Sequence, residues 1–121
     1  MNKQIDLKHG THILGDTKAA RKILAMFIDK LPVYVDDIHN LRQSKSWIQL
    51  HEAIHALKGA SCYSSTPLLN QTVSELNQLL YNVDQEVLSK DSIEKIDKHL
   101  NTLSKQSKEV IEQASSILQD S

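Results

Sequence analysis

From Asp16 onward the apolar residues stand at Ala20, Leu24, Phe27, Leu31, Tyr34, Ile38 and Leu41. Steps of four and three alternate without a slip, which places all seven on one side of an α-helix and excludes the every-other-residue pattern of a strand. A face that long has to be covered by other elements of similar length, and the rest of the chain offers them. Trp47, Leu50, Ile54, Leu57 and Ser61 form a second stripe. Leu69, Val73, Leu76, Leu80 and Val83 form a third. The fourth runs through Ile93, Ile96, Leu100, Leu103, Val110, Ala114 and Ile117, with Ser107 its one polar member. Three glycines and two prolines in 121 residues are too few to turn the corners of a sandwich or barrel. The expected fold is all-α: an antiparallel up-down four-helix bundle with a short extra N-terminal helix.

The punctuation supports that division. A short helix is expected over residues 5–14, broken by Gly10. Gly15 followed by Asp16 reads as a stop and an N-cap. Pro32 falls inside the first long stripe without disturbing its phase, so a kinked but nearly continuous helix is expected there. Thr66 before Pro67 reads as an N-cap and a first-turn proline. A break over residues 89–91, with Asp91 as cap, precedes the last helix.

Composition removes several functions. Fourteen basic and fifteen acidic residues give a net charge of −1, and the five aromatics are not interleaved with a basic stripe, so a nucleic-acid surface is not expected. One cysteine, Cys62, excludes an internal disulfide and a cysteine-based zinc knot, and fits a reducing compartment. No apolar run is long enough to span a membrane, and the N-terminus lacks the apolar core of a signal peptide. There is no glycine-rich phosphate loop for ATP and no acidic cluster suited to Mg²⁺. Histidine, with six residues, is the unusual count.

Two motifs overlap in the stretch from His51 to Gly59. The first is H-E-x-x-H, formed by His51, Glu52 and His55. On a helix it puts two imidazoles on one face for zinc with a glutamate as general base, and Glu75 could be a third ligand. Against a zinc peptidase stands the lack of any strand edge or cleft to hold an extended substrate. The second is the stretch from Trp47 to Pro67, with His55, Leu57, Lys58 and Gly59 at its centre, and the helical wheel shows what those residue types could do there. At about 100° per residue, His55 lies about 120° from the centre of its stripe and Gly59 about 160° away, so both face solvent. Imidazole, with an ordinary pKa near 6.5, presents a neutral nucleophilic nitrogen at pH 7. A phosphoryl group on it brings about two negative charges. Lys58, one turn on, can meet those oxygens, and Gly59 keeps the next turn free of a side chain. A helix-interior glycine costs up to about 1 kcal/mol relative to alanine, a cost that close approach of a partner would justify.

His55, Leu57, Lys58 and Gly59 spell H-x-L-K-G on the second long helix, and on these residues the chain resembles histidine phosphotransfer (HPt) domains. The likeness extends back to Gly15, Asp16, Ala20, Ile23, Leu24, Met26 and Phe27 and covers about residues 5–118. Ser61, Cys62, Tyr63 and Ser64 with Pro67 look most like the C-terminal HPt module of bacterial tripartite hybrid sensor kinases. The resemblance implies a single HPt domain over residues 1–121, with His55 as phosphoacceptor, Lys58 steadying the phosphoryl oxygens and Gly59 giving access. His51, Glu52 and Cys62 become candidates for the docking surface. It implies a phosphocarrier in a multistep two-component relay, with receiver domains of response regulators as donor and acceptor. Mg²⁺ would come from the receiver and no cofactor from this chain. A monomer in the cytoplasm, or at the cytoplasmic end of a membrane sensor kinase, is expected. A helical adaptor that binds receivers without transfer is the alternative beside the zinc peptidase. Two positions depart from the family pattern. Ser65 stands where a glycine usually makes the turn, at about 1 kcal/mol if its φ is positive, and Asn77 stands where glutamate is usual.

Overall fold

The computed structural model describes residues 3–83 and 87–119. Five helices follow one another: α1 (Leu7–Leu14), α2 (Thr17–Gln43), α3 (Trp47–Ser61), α4 (Pro67–Leu79) and α5 (Lys90–Gln119). The four long ones close a ring in which α2 packs on α3, α3 on α4, α4 on α5 and α5 back on α2, while α1 lies against α2. With sequential helices packed as neighbours around this ring, the expected up-down bundle with an extra N-terminal helix is the fold observed. Every described residue of regular structure is helical.

The four stripes converge on one core. Phe27, Leu31, Ile38, Leu50, Ile54, Leu57, Leu69, Val73, Leu76, Leu80, Ile96, Leu100, Leu103 and Val110 are buried together. Tyr34, Leu41, Trp47 and Val83 close its rim, only partly buried. Ser107 is tolerated inside because its hydroxyl donates to the Leu103 carbonyl one turn back at 2.8 Å. A second, smaller cluster of Ile5, Leu24 and Ala114 anchors the N-terminal segment against α2 and α5.

Pro32 sits within one continuous α2, as its undisturbed phase suggested. Gly15 ends α1 with φ at 79° and its N–H bonded to the Thr11 carbonyl at 2.7 Å, and Asp16 caps α2 by accepting from the Lys18 N–H at 3.0 Å. Two expectations are corrected. Gly10 does not break α1: it lies inside the helix, buried, where a Cβ would overlap the Ser65 hydroxyl. It is there for close approach of two elements, not for a turn. Asp91 does not cap α5. The cap is Ser89, whose hydroxyl accepts from the Ser92 N–H at 3.1 Å, and Asp91 instead pairs with Lys95 at 3.2 Å along the first turn.

Where α2 ends and α3 and α5 begin, Arg42 joins three helices. Its guanidinium donates twice to the Asp97 carboxylate of α5 and lies 5.0 Å from the centroid of the Trp47 ring that opens α3. That hydrogen-bonded guanidinium holds the Asp97 carboxyl below its ordinary range, against a smaller opposing effect of burial.

Candidate functional site

The site lies on α3 because the core residues leave only one side of that helix free. Leu50, Ile54 and Leu57 are fully buried, so His55, between two of them in sequence, is turned outward and is exposed. Gly59 is exposed one turn further on, and a Cβ built there meets no atom within 4 Å. The glycine therefore answers no packing need inside the chain, and the clearance it leaves faces solvent. Lys58 is half-buried, on the flank of α3 toward α4.

That flank carries a pattern. His51, His55, Lys58 and Cys62 are spaced four, three and four apart on α3, and Asn70, Ser74, Asn77 and Tyr81 repeat the spacing on and just beyond α4. The two polar rows run antiparallel along one seam and are pinned near both ends. At one end the Asn70 amide donates to the Lys58 carbonyl at 3.2 Å and to the Ser61 hydroxyl at 2.8 Å, and lies 3.6 Å from the Cys62 sulfur. Ser61 adds a bond from its own hydroxyl to the Lys58 carbonyl at 3.1 Å. The last turn of α3, with Lys58 and Gly59 on it, is thereby held from outside the helix. At the other end His51 Nε2 meets Asn77 Oδ1 at 3.1 Å. The register puts Ser74, half-buried, opposite His55.

Of the sequence candidates, the structure brings His51, His55, Lys58 and Cys62 to this seam, while Glu52 lies on the outer face of α3, exposed. Cys62 is exposed and in no disulfide. Asn70 was missed by sequence reasoning. An asparagine in the first turns of a helix carries no signal of its own, and its three contacts follow only from how α4 docks on α3.

The zinc arrangement is not assembled. Glu75 points away from the seam and bonds His99 Nε2 of α5 at 2.9 Å, and His51 faces Asn77. Among the described residues no three His, Cys, Asp or Glu side chains are grouped so as to hold a metal ion.

Both departures from the family pattern are accounted for. Ser65 takes φ at 64°, the left-handed region that a glycine would occupy without strain. Its carbonyl accepts from the Asp6 N–H at 2.8 Å, tying the start of α1 to the α3–α4 turn. Asn77 replaces a carboxylate beside the two histidines with a neutral amide and gives His51 its partner.

On the other side of α3 a shallow groove runs between α2 and α3, lined by Ile23, Met26, Phe27, Lys30, Tyr34 and Ala60. Met26 exposes about half of its surface there. A solvent-facing histidine in mid-helix, a lysine and a glycine in the next turn, and an open apolar groove alongside lie together on one open surface. They do not form a cleft that encloses a small substrate. The family model described as Hpt domain matches residues 22–115, and the chain belongs to that family of histidine phosphotransfer domains. No curated protein and no solved structure matches the chain. Family membership defines the general role: histidine phosphotransfer in a phosphorelay, in contact with response-regulator receiver domains. Among the described residues no helix is long and apolar enough to cross a membrane.

Proposed function

We propose that His55 is the phosphoacceptor of this Hpt domain. It takes a phosphoryl group from the aspartyl phosphate of one receiver domain and passes it to an aspartate of a second. The observation that carries this reading is the exposure of His55 in mid-helix, next to the empty space over Gly59 and one turn from Lys58. In the transfer, the lone pair of His55 Nε2 forms the N–P bond. The P–O bond to the donor carboxylate breaks, and its electron pair stays on the carboxylate oxygen. Nε2 is the attacking atom because it reaches farthest from the backbone. The incoming and leaving groups must stand in line across phosphorus, so the donor aspartate has to approach from solvent directly over His55. The Gly59 turn leaves room for that approach.

Lys58 screens the negative oxygens once they are on His55. Mg²⁺ and the acceptor carboxylate belong to the receiver. The protein acts as a monomer in the cytoplasm, and its contacts with receivers are transient and modest in area. Docking spreads from His55 over Glu52, Gly59 and the α2–α3 groove, with His51 and Cys62 on its α4 side.

A receiver domain phosphorylated on its aspartate and mixed with this protein tests the reading. The label should move to the protein, be acid-labile and base-stable, and vanish in His55→Gln while the circular dichroism spectrum is unchanged. A label that persists in His55→Gln, or that never leaves any phosphorylated receiver, refutes it. The second outcome, with binding retained, identifies an adaptor.

A further inference from the structure

Phosphotransfer through His55 makes no use of His51, yet the structure treats His51 as more than surface. It is half-buried, fixed to Asn77 Oδ1 at 3.1 Å, and stands one turn before His55. Side chains four apart on a helix are neighbours, about 6 Å between Cβ atoms, and each leans toward the N-terminal end. The His55 ring therefore leans over His51, as Lys58 leans over His55. On the wheel the three lie within about 60° of one another around α3.

The bond to Asn77 also settles how His51 can change charge. Asn77 Oδ1 is an acceptor, so His51 donates from Nε2 and is left with a lone pair on Nδ1. Adding a proton there makes an imidazolium without breaking the anchor. The ring can be neutral or cationic in one fixed place.

We propose that His51 is a positioning and charge residue for the phosphorylated state. Its cationic form is the second positive group, opposite Lys58, that holds the phosphoryl group on His55. The inference rests on His55 being the phosphoacceptor. It makes retention of the phosphoryl group dependent on pH. When His51 carries its proton, the phosphohistidine is favoured. When the proton leaves, the phosphoryl group is held by Lys58 alone and passes more readily to the next carboxylate.

The surroundings allow it. On α3 itself the ionisable neighbours of His51 are Glu52, exposed on the outer face, and His55. From α4 the seam presents Asn77, Ser74 and the phenol of Tyr81, which is 70% exposed, and no carboxylate. Glu75 is on the far flank of α4, held by His99. On α2, Lys30 and Asp37 border the opposite flank of α3. Among the described residues no acid therefore sits against His51 across the seam, and the phosphoryl oxygens are the strongest anion it meets there.

Linkage makes the effect reciprocal: if the proton on His51 favours phospho-His55, phosphorylation of His55 tightens proton binding at His51 by the same factor. One to two negative charges a helical turn away in a water-like dielectric give a factor of about twofold to eightfold, smaller at high salt. The test uses the wild-type protein and phosphoramidate, whose P–N bond breaks as His55 forms its own and whose amine leaves as ammonia. The ring resonances of His51 are followed by NMR between pH 6 and 8.5, with and without phosphoramidate, at low and at physiological salt. The expected result is a rise of His51 proton affinity of that size on phosphorylation, reduced by salt and absent in His55→Gln. In parallel, the ratio of wild-type to His51→Gln phosphoryl retention against a receiver acceptor should grow as pH falls. A His55 that is phosphorylated while His51 titrates unchanged, or a pH-independent ratio, overturns the inference and leaves the phosphoacceptor intact. A His55 that accepts no phosphoryl group, from phosphoramidate or a receiver, overturns both.

Discussion

Gly10 and Ser65 meet where α1 crosses the α3–α4 turn, and the structure predicts that each decides what the other can be. In the native chain a Cβ on residue 10 would overlap the Ser65 hydroxyl, stand 3.2 Å from the Ser65 Cβ and 3.4 Å from that of Ala20. Ser65 is fully buried, so its hydroxyl has packed neighbours in any rotamer. Forcing atoms into such a place costs about 1–3 kcal/mol, and a helix-interior Gly→Ala change returns at most about 1 kcal/mol. Gly10→Ala should therefore destabilise by about 1–2 kcal/mol. Ser65→Gly should do the opposite. It removes left-handed strain of about 1 kcal/mol and a buried hydroxyl that has no partner among the described residues, worth about 1–3 kcal/mol. Against this stands the greater freedom of glycine in the unfolded chain, about 0.5–1 kcal/mol. A net gain of about 1–3 kcal/mol is expected.

The diagnostic result is the double variant. With Ser65 replaced by glycine, both close contacts of a residue-10 Cβ with Ser65 disappear, and the nearest that remains is the one to the Ala20 Cβ at 3.4 Å. Gly10→Ala should then change sign and stabilise by about 0.5–1 kcal/mol, a coupling of roughly 2 kcal/mol between the two sites. Urea titrations of the four proteins, followed by circular dichroism, measure it as shifts in midpoint at constant slope. If Gly10→Ala costs the same in both backgrounds, the packing argument is wrong, because Ser65 must then be yielding by a rotation that the structure does not show.

Three further outcomes follow from the same geometry. Gly59→Ala has nothing to collide with inside the chain and removes a poor helix former, so it should stabilise by up to about 1 kcal/mol in urea; Gly59→Leu should fold as well yet slow receiver-to-His55 transfer at least tenfold by stopped-flow or gel assay. Asn70→Ala loses the bonds that hold the last turn of α3 and should cost about 1–2 kcal/mol, with faster amide exchange confined to that turn and the turn after it. Asp97 is depressed by Arg42 in the folded chain, so its contribution is present above the ordinary carboxylate range and is lost as pH falls through the folded value. Nearly half exposed, it is worth only about 0.5 kcal/mol after solvent screening, and Asp97→Asn should remove that much stability at pH 7 and almost none at pH 2.

How far the sequence could be read depended on whether a residue's role was local or supplied from elsewhere. The stripes were legible because an apolar face on a helix has one destination, and His55 was legible for the complementary reason: its angle from the stripe alone puts it in solvent. Gly10 was misread because a glycine in a short helix has two explanations, a break and a close approach, and only the position of Ser65, fifty-five residues away, chooses between them. Asp91 was misread as a cap when Ser89, two residues earlier, stands at the cap position with its hydroxyl bonded to Ser92; both residue types cap helices, and spacing did not separate them. The H-E-x-x-H spacing was real, but a motif on one helix cannot show what stands across from it. There the neighbour is Asn77, an amide that fixes His51 while leaving its second nitrogen open. That one cross-helix contact separates the two histidines of the metal motif, and on the proposed reading it gives them different work: His55 to carry the phosphoryl group, His51 to set how tightly it is held.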